Sequence, residues 1–219
     1  MSRLRVAVLA SGRGSNLAAL LAARARGELD IELAAVASDR PAAPALAIAR
    51  EAGLDALAFD PKGFQDRLAF DRALFGAVGR VQPDLIVCAG YMRLVSAAVV
   101  AEWSGRMINL HPSLLPAYPG LRTHARALAD GVVEHGASVH FVTADLDAGP
   151  VIAQVRIPIE PGDTPERLAA RLLPHEHRLL VASVGLFAAG RVAMVGDRVR
   201  VDEILRERPL ELTADGRLA

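Results

Sequence analysis

Cysteine is all but missing from this sequence. Cys88 is the sole one in 219 residues, so no intrachain disulfide can form and nothing points to an oxidising compartment. It sits in the apolar run Leu85–Ala89, where a thiol behaves as a small core side chain. An excess of either charge is lacking too. The 25 basic residues balance 25 acidic ones, which removes the global field that would favour nucleic acid or an anionic membrane. Long apolar runs are also missing. Val6–Ala10 is too short for a signal-peptide core and is broken by Ser11-Gly12. The uncharged, mostly apolar run Leu179–Gly190 falls well below the roughly 20 residues that a membrane span needs. The expectation is a soluble, cytoplasmic protein with neither a membrane nor a nucleic-acid partner. No repeat, linker or low-complexity segment divides the chain, and its length suits one domain with a sizeable core.

What is present is an alternation of apolar runs and helical patterns. Arg5–Ala10, Ile31–Ser38, Leu57–Phe59, Leu85–Ala89 and Met107–Leu110 read as strands, the near-continuous ones fitting a sheet covered on both faces. Helical periodicity separates them over Leu17–Arg26, from Pro44 to about Glu51, over Phe64–Gln82, and over Ser96–Glu102 with Ser96 as the cap. This order predicts an α/β fold: an open, mostly parallel, Rossmann-like sheet with helices on both faces. After Thr123 the pattern changes. Thr123–Asp130 reads as a short helix, and Ala137–Val142 and Val151–Ile159 as antiparallel strands added to the sheet. A helix starts near Asp163-Thr-Pro and runs to about Ala189, with Pro174 expected to kink or divide it. A terminal hairpin around Gly196-Asp197 follows, and the last residues read as frayed. One domain, 1–219, is therefore expected. It has a parallel, nucleotide-binding half at 1–112, and a half at 113–219 with a catalytic loop, antiparallel strands, long helix and hairpin.

The stretch Asn109-Leu-His111-Pro-Ser-Leu-Leu-Pro116 organises the chemistry. Pro112 and Pro116 forbid a helix directly after the strand. Asn109 and His111 therefore stand at its carboxyl tip, and residues i and i+2 on a strand face the same side. In open α/β sheets this edge binds ligands. Asp147, in a Gly-flanked loop, is a candidate to orient or charge-pair His111, although chain spacing leaves that pairing open. Ser11-Gly-Arg-Gly-Ser-Asn16 joins a strand to a helix start. It fails as a dinucleotide fingerprint because Leu17 stands where a third small residue belongs, and as a P-loop because no Lys-Ser/Thr follows. A monophosphate site on the N–H groups of Gly14, Ser15 and Asn16 and a plain tight turn both remain. His175-Glu-His177 is not a metal pair, since i and i+2 on a helix point about 200° apart.

Three stretches carry a resemblance to the folate-dependent phosphoribosylglycinamide formyltransferase family: Ala10-Ser-Gly-Arg-Gly-Ser-Asn-Leu17, Ala89-Gly-Tyr-Met-Arg-Leu-Val-Ser96 and Ile108-Asn-Leu-His-Pro-Ser-Leu-Leu-Pro116. Tyr118-Pro-Gly-Leu121, Gly136-Ala-Ser-Val-His140, Leu146-Asp-Ala-Gly-Pro-Val151 and Glu176-His-Arg178 continue it in order across the chain. The resemblance implies a catalytic trio of Asn109, His111 and Asp147. It implies that Gly14, Ser15, Asn16 and Glu176 hold the ribonucleotide. It also implies that Arg67, Met92, Arg93, Leu94, Val95 and Asn109 meet the co-substrate 10-formyltetrahydrofolate. The expected reaction moves a formyl group from that folate to the amine of 5-phosphoribosylglycinamide, without metal, in a monomer or homodimer. Leu173 and Leu180-Val181 depart from the family pattern where other members place a Gln and a Tyr-Pro. Formyltetrahydrofolate hydrolysis, methionyl-tRNA formyl transfer and an inert nucleotide- or folate-binding module are the competing readings. For the first two this length leaves no room for a regulatory or basic extra domain.

Overall fold

Apolar runs with few polar interruptions become the parallel strands in a computed structural model of the protein, which describes residues 3–219. These are β1 (Leu4–Leu9), β2 (Ile31–Ser38), β3 (Asp55–Ala58), β4 (Leu85–Cys88) and β5 (Met107–His111). The described residues fall into two compact units. One runs to Asn109 and includes Val142–Ala144; the other comprises Leu110–Phe141 and Asp145–Ala219. The division passes through β5, between Asn109 and Leu110.

In the first unit the parallel strands lie in the order β3-β2-β1-β4-β5. From β1 the chain adds β2 and β3 on one side, then returns to add β4 and β5 on the other. Such a reversal leaves a crevice at the carboxyl ends of the two central strands. The loops leaving β1 and β4, at Ser11–Gly14 and Ala89–Val95, flank it. The connecting helices are α1 (Ser15–Ala25), α2 (Pro44–Glu51), α3 (Arg67–Arg80) and α4 (Ala97–Glu102), with a 3-10 turn at Pro61–Gly63. Local chemistry sets their starts. Pro44 opens α2 with its ring-fixed φ, and the Asp66 carboxylate caps α3 by accepting from the Ala69 N–H at 2.8 Å. Ser96 precedes α4, as expected, but its hydroxyl caps nothing. Instead its N–H donates to the buried Asp71 carboxylate at 2.6 Å, so the anchor comes from α3. Leu9, Phe70, Leu74, Val78, Ile86 and Met107 are fully buried in the core between sheet and helices.

In the second unit α5 (Thr123–Ala129) precedes an antiparallel pair, β6 (Glu134–Phe141) and β7 (Val151–Pro158). The helix α6 (Pro165–Ala188) covers them. The Thr164 side chain caps α6, and Phe141 on β6 meets Phe187 edge to face at 5.7 Å. Pro174 does not divide α6. The helix is continuous through it, because the buried stripe of Leu168, Leu172, Leu179 and Val184 binds both sides of the proline to the strands. The expected hairpin is present as β8 (Val192–Val195) and β9 (Arg198–Val201), extended by β10 (Ile204–Leu205). The frayed end is a wrong expectation. Leu210–Glu211 forms β11, parallel to β7, with Leu210 buried. The fold class is the expected one, a mostly parallel sheet with helices on both sides and added antiparallel strands.

Candidate active site

His111 is the last residue of β5, and Asn109 precedes it by two on the same strand. The His111 ring is buried, 6% exposed, and each of its nitrogens faces an oxygen. Nε2 lies 3.0 Å from the carbonyl of Tyr118. A carbonyl only accepts, so Nε2 carries the hydrogen and donates it. Nδ1 lies 3.4 Å from Oδ2 of Asp147, an ion-pair distance longer than a good direct hydrogen bond. The sequence placed these two residues as a candidate pair, and the structure brings them together.

Asp147 is held from several sides. It stands in the connection between β6 and β7, and the antiparallel register pairs His140 with Val151, so this hairpin folds Asp147 back over His140. Its φ is 51°, a left-handed conformation that Asp tolerates better than most residues but that still costs energy. The Gly120 N–H donates to Oδ2 at 2.8 Å and fixes the carboxylate. On its other oxygen, Oδ1, Nε2 of His140 lies at 3.7 Å. Nδ1 of His140 donates to the Phe141 carbonyl at 2.9 Å, which places the hydrogen of the neutral ring on Nδ1. Burial pushes the His140 pKa down, with the Asp147 charge opposing. Asp147 is thus flanked by two imidazoles, each already committed to a backbone carbonyl through its far nitrogen.

A second pair of histidines lies behind the turn after β5. Nδ1 of His124 and Nε2 of His135 are 3.0 Å apart, and His135 also hydrogen-bonds the Pro112 carbonyl. Burial, and next the neighbouring His124, push His135 down to about 4. The turn itself is pinned by Ser138, whose hydroxyl donates to the Ser113 carbonyl at 2.7 Å and accepts from the Leu115 N–H at 3.1 Å.

Gly14, Ser15 and Asn16, the residues expected to meet the ribonucleotide, lie at the start of α1. Gly14 precedes α1 at φ 80°, and Ser15 and Asn16 begin that helix. Oδ1 of Asn16 is buried without a hydrogen-bond partner. Arg67 is the exposed first residue of α3. Along the loop after β4, Met92 is 59% and Leu94 53% exposed, unusual for apolar side chains beside a crevice, while Val95 packs on the core. The Arg93 guanidinium lies 4.8 Å over the Phe70 ring. Glu176 is half-buried on α6. By unit, Gly14 to Asn16, Arg67, Met92 to Val95 and Asn109 belong to the first, and His111, Asp147 and Glu176 to the second.

Sequence reasoning missed His140 as a neighbour of Asp147, the Tyr118 carbonyl, and the Ser11–Asp39 contact described below. Each depends on a loop returning through space, which spacing along the chain does not encode. Cys88 is an inert core thiol, pushed up to about 12 by burial. Among the described residues no group of three or more His, Cys, Asp or Glu side chains is placed to hold a metal ion, and no helix is long and apolar enough to cross a membrane.

With this geometry in hand, comparison with known proteins is specific. A sequence profile of the formyl transferase family matches residues 4–184. Phosphoribosylglycinamide formyltransferase of Escherichia coli K12 is 42% identical over 191 residues, covering 87% of this chain and 90% of that protein. The structure of phosphoribosylglycinamide formyltransferase from Coxiella burnetii aligns with a TM-score of 0.89 at 45% identity, over 93% of this chain and 96% of that one. A formyltetrahydrofolate deformylase from Pseudomonas syringae aligns at 0.82 with 27% identity, over 91% of this chain and 66% of that one.

Proposed function

The chain belongs to the formyl transferase family, among its phosphoribosylglycinamide formyltransferases, and from that premise we propose which residues carry the reaction. The enzyme transfers a formyl group to the amine of 5-phosphoribosylglycinamide in purine biosynthesis. In our reading the donor is 10-formyltetrahydrofolate, and the trio is Asn109, His111 and Asp147. One observation carries that assignment: the buried His111–Asp147 pair at 3.4 Å, with His111 two residues beyond Asn109 on one strand.

The amine nitrogen attacks the formyl carbon, a C–N bond forms, and the carbonyl electron pair moves to oxygen. Asn109 and protonated His111 donate hydrogen bonds to that oxyanion, where donors aimed at developing charge act most strongly. The attacking nitrogen must lose a proton, and N10 of the folate must gain one as its C–N bond breaks. Asp147, beside the His111 imidazolium, organises the passage of that proton from the amine to N10. Because burial keeps His140 neutral, the imidazolium of this scheme is His111, with Nδ1 toward Asp147. For His111 to reach the oxyanion through Nε2, the Tyr118 carbonyl must release that N–H, so Tyr118 caps the ring in the structure described. Gly14, Ser15, Asn16 and Glu176 are assigned to the ribonucleotide, and Arg67, Met92 to Val95 and Asn109 to the folate. The chain works as one formyltransferase domain, in the cytoplasm, as monomer or homodimer, without metal.

His111→Ala should lower kcat by about 10²- to 10⁴-fold, on the order of 3 to 5 kcal/mol of transition-state stabilisation. Asn109→Ala should lose a comparable factor. Asp147→Asn keeps the shape and removes the charge, and its loss should largely vanish in the His111→Ala background, since paired groups act as a unit. Fully multiplicative losses in the double variant would separate Asp147 from His111, and near-normal turnover in His111→Ala would remove the mechanism. A second reading has one observation in its favour, the shared fold of the deformylase. There water replaces the amine, and folate would be released without acceptor.

A further inference from the structure

The loops leaving β1 and β4 meet at one hydroxyl. Ser11 is 2% exposed and Asp39, at the end of β2, is 6% exposed. The Ser11 hydroxyl donates to Oδ1 of Asp39 at 2.5 Å and accepts the Met92 N–H at 2.9 Å. The Ser11 N–H donates to the Gly90 carbonyl at 3.0 Å, and the Gly12 carbonyl accepts from the Ala45 N–H of α2 at 3.2 Å. A serine hydroxyl has one hydrogen to give and lone pairs to receive. Committing the hydrogen to Asp39 aims a lone pair at Met92. The buried carboxylate thereby fixes the orientation of a bond that ties residues 11–14, the start of the ribonucleotide loop, to residues 90–92, the start of the folate loop.

Resting on the substrate assignment above, we propose that Ser11, clamped by Asp39, is a positioning residue that couples the two substrates. Ordering either loop around its ligand orders the Ser11–Met92 bond, and the other loop then binds its ligand at a lower ordering cost. Coupling of this kind is reciprocal: each ligand strengthens the other by the same factor.

The test uses calorimetry on the full chain, with 5-phosphoribosylglycinamide and the unreactive product tetrahydrofolate. The dissociation constant of each is measured alone and with the other saturating. The wild type should show mutual tightening of about fivefold or more. Ser11→Ala removes the shared atom and should bring that factor close to one, and Asp39→Ala should lower it by freeing the hydroxyl to rotate. Ser11→Thr and Asp39→Asn keep a donor and an acceptor in place and should retain it. A residue with a merely structural role would weaken both ligands equally and leave the factor intact. A factor of one in the wild type, or an undiminished factor in folded Ser11→Ala and Asp39→Ala, overturns the inference. Failure of the wild type to bind one of the ligands would overturn the substrate assignment with it, and is separately visible in the single-ligand titrations.

Discussion

Glycine 14 shows how one residue can carry two requirements. Its φ of 80° suits only glycine well, and a Cβ there would come within 2.8 Å of the Ala45 backbone on α2. Its smallness thus serves helix packing and, on the proposed assignment, approach to a phosphate, and replacing it would disturb both. Ser15 gives a cleaner probe. It is half-buried at the first position of α1, where an acid favours the helix through the positive end of its dipole but repels a bound phosphate. Ser15→Glu should leave the melting temperature unchanged or slightly raised and increase the acceptor KM more than about tenfold, with folate affinity unaltered. That factor corresponds to about 1.4 kcal/mol of lost binding. Equal weakening of both substrates would remove the phosphate from this loop. At this scale the sequence was informative wherever a role followed from local geometry. Asn109 and His111 share a side because strands have a period of two, and two prolines mark where the strand ends. Asp147 was readable only as a candidate, because its partner is 36 positions away along the chain.

The β6–β7 hairpin carries Asp147, and its closeness is set by Gly136. A Cβ at Gly136 would lie 1.9 Å from the Val155 carbonyl oxygen across the ladder and 2.6 Å from Leu114 of the turn after β5. The carbonyl cannot yield without separating the strands, whereas the Leu114 side-chain tip can turn aside. Gly136→Ala should therefore cost about 3 kcal/mol, the upper part of the overpacking range, and lower the melting temperature by roughly 6 to 12 °C. Unchanged thermal stability would contradict the packing described. Long elements of the fold were legible, such as β2 with its apolar run Leu33–Ala37. Where tertiary packing overrides local preference, the sequence misled. Pro174 lies inside α6 because both flanking turns are buried against strands. β11 is two residues long, too short for any periodicity, and forms only because β7 offers a free edge to Leu210.

For the whole molecule, buried histidines make stability depend on acid. His135 is pushed down to about 4 by burial and then by His124, and His140 is lowered chiefly by burial. In the unfolded chain histidine titrates near 6.5. Between about pH 6.5 and 4 the unfolded state therefore binds more protons than the folded one, and stability falls as pH falls through that window. Urea midpoints measured across it should decline, and His135→Gln should flatten part of the decline. A midpoint independent of pH would contradict the neutral, buried histidines.

The most direct measurement of the central claim incubates the enzyme with 10-formyltetrahydrofolate, with and without 5-phosphoribosylglycinamide, and quantifies tetrahydrofolate, formate and N-formylated ribonucleotide together. The account predicts tetrahydrofolate release that requires the acceptor and equals the formylated product mole for mole, and that collapses in His111→Ala. Release at the same rate without acceptor, with formate in place of the formylated ribonucleotide, would contradict it.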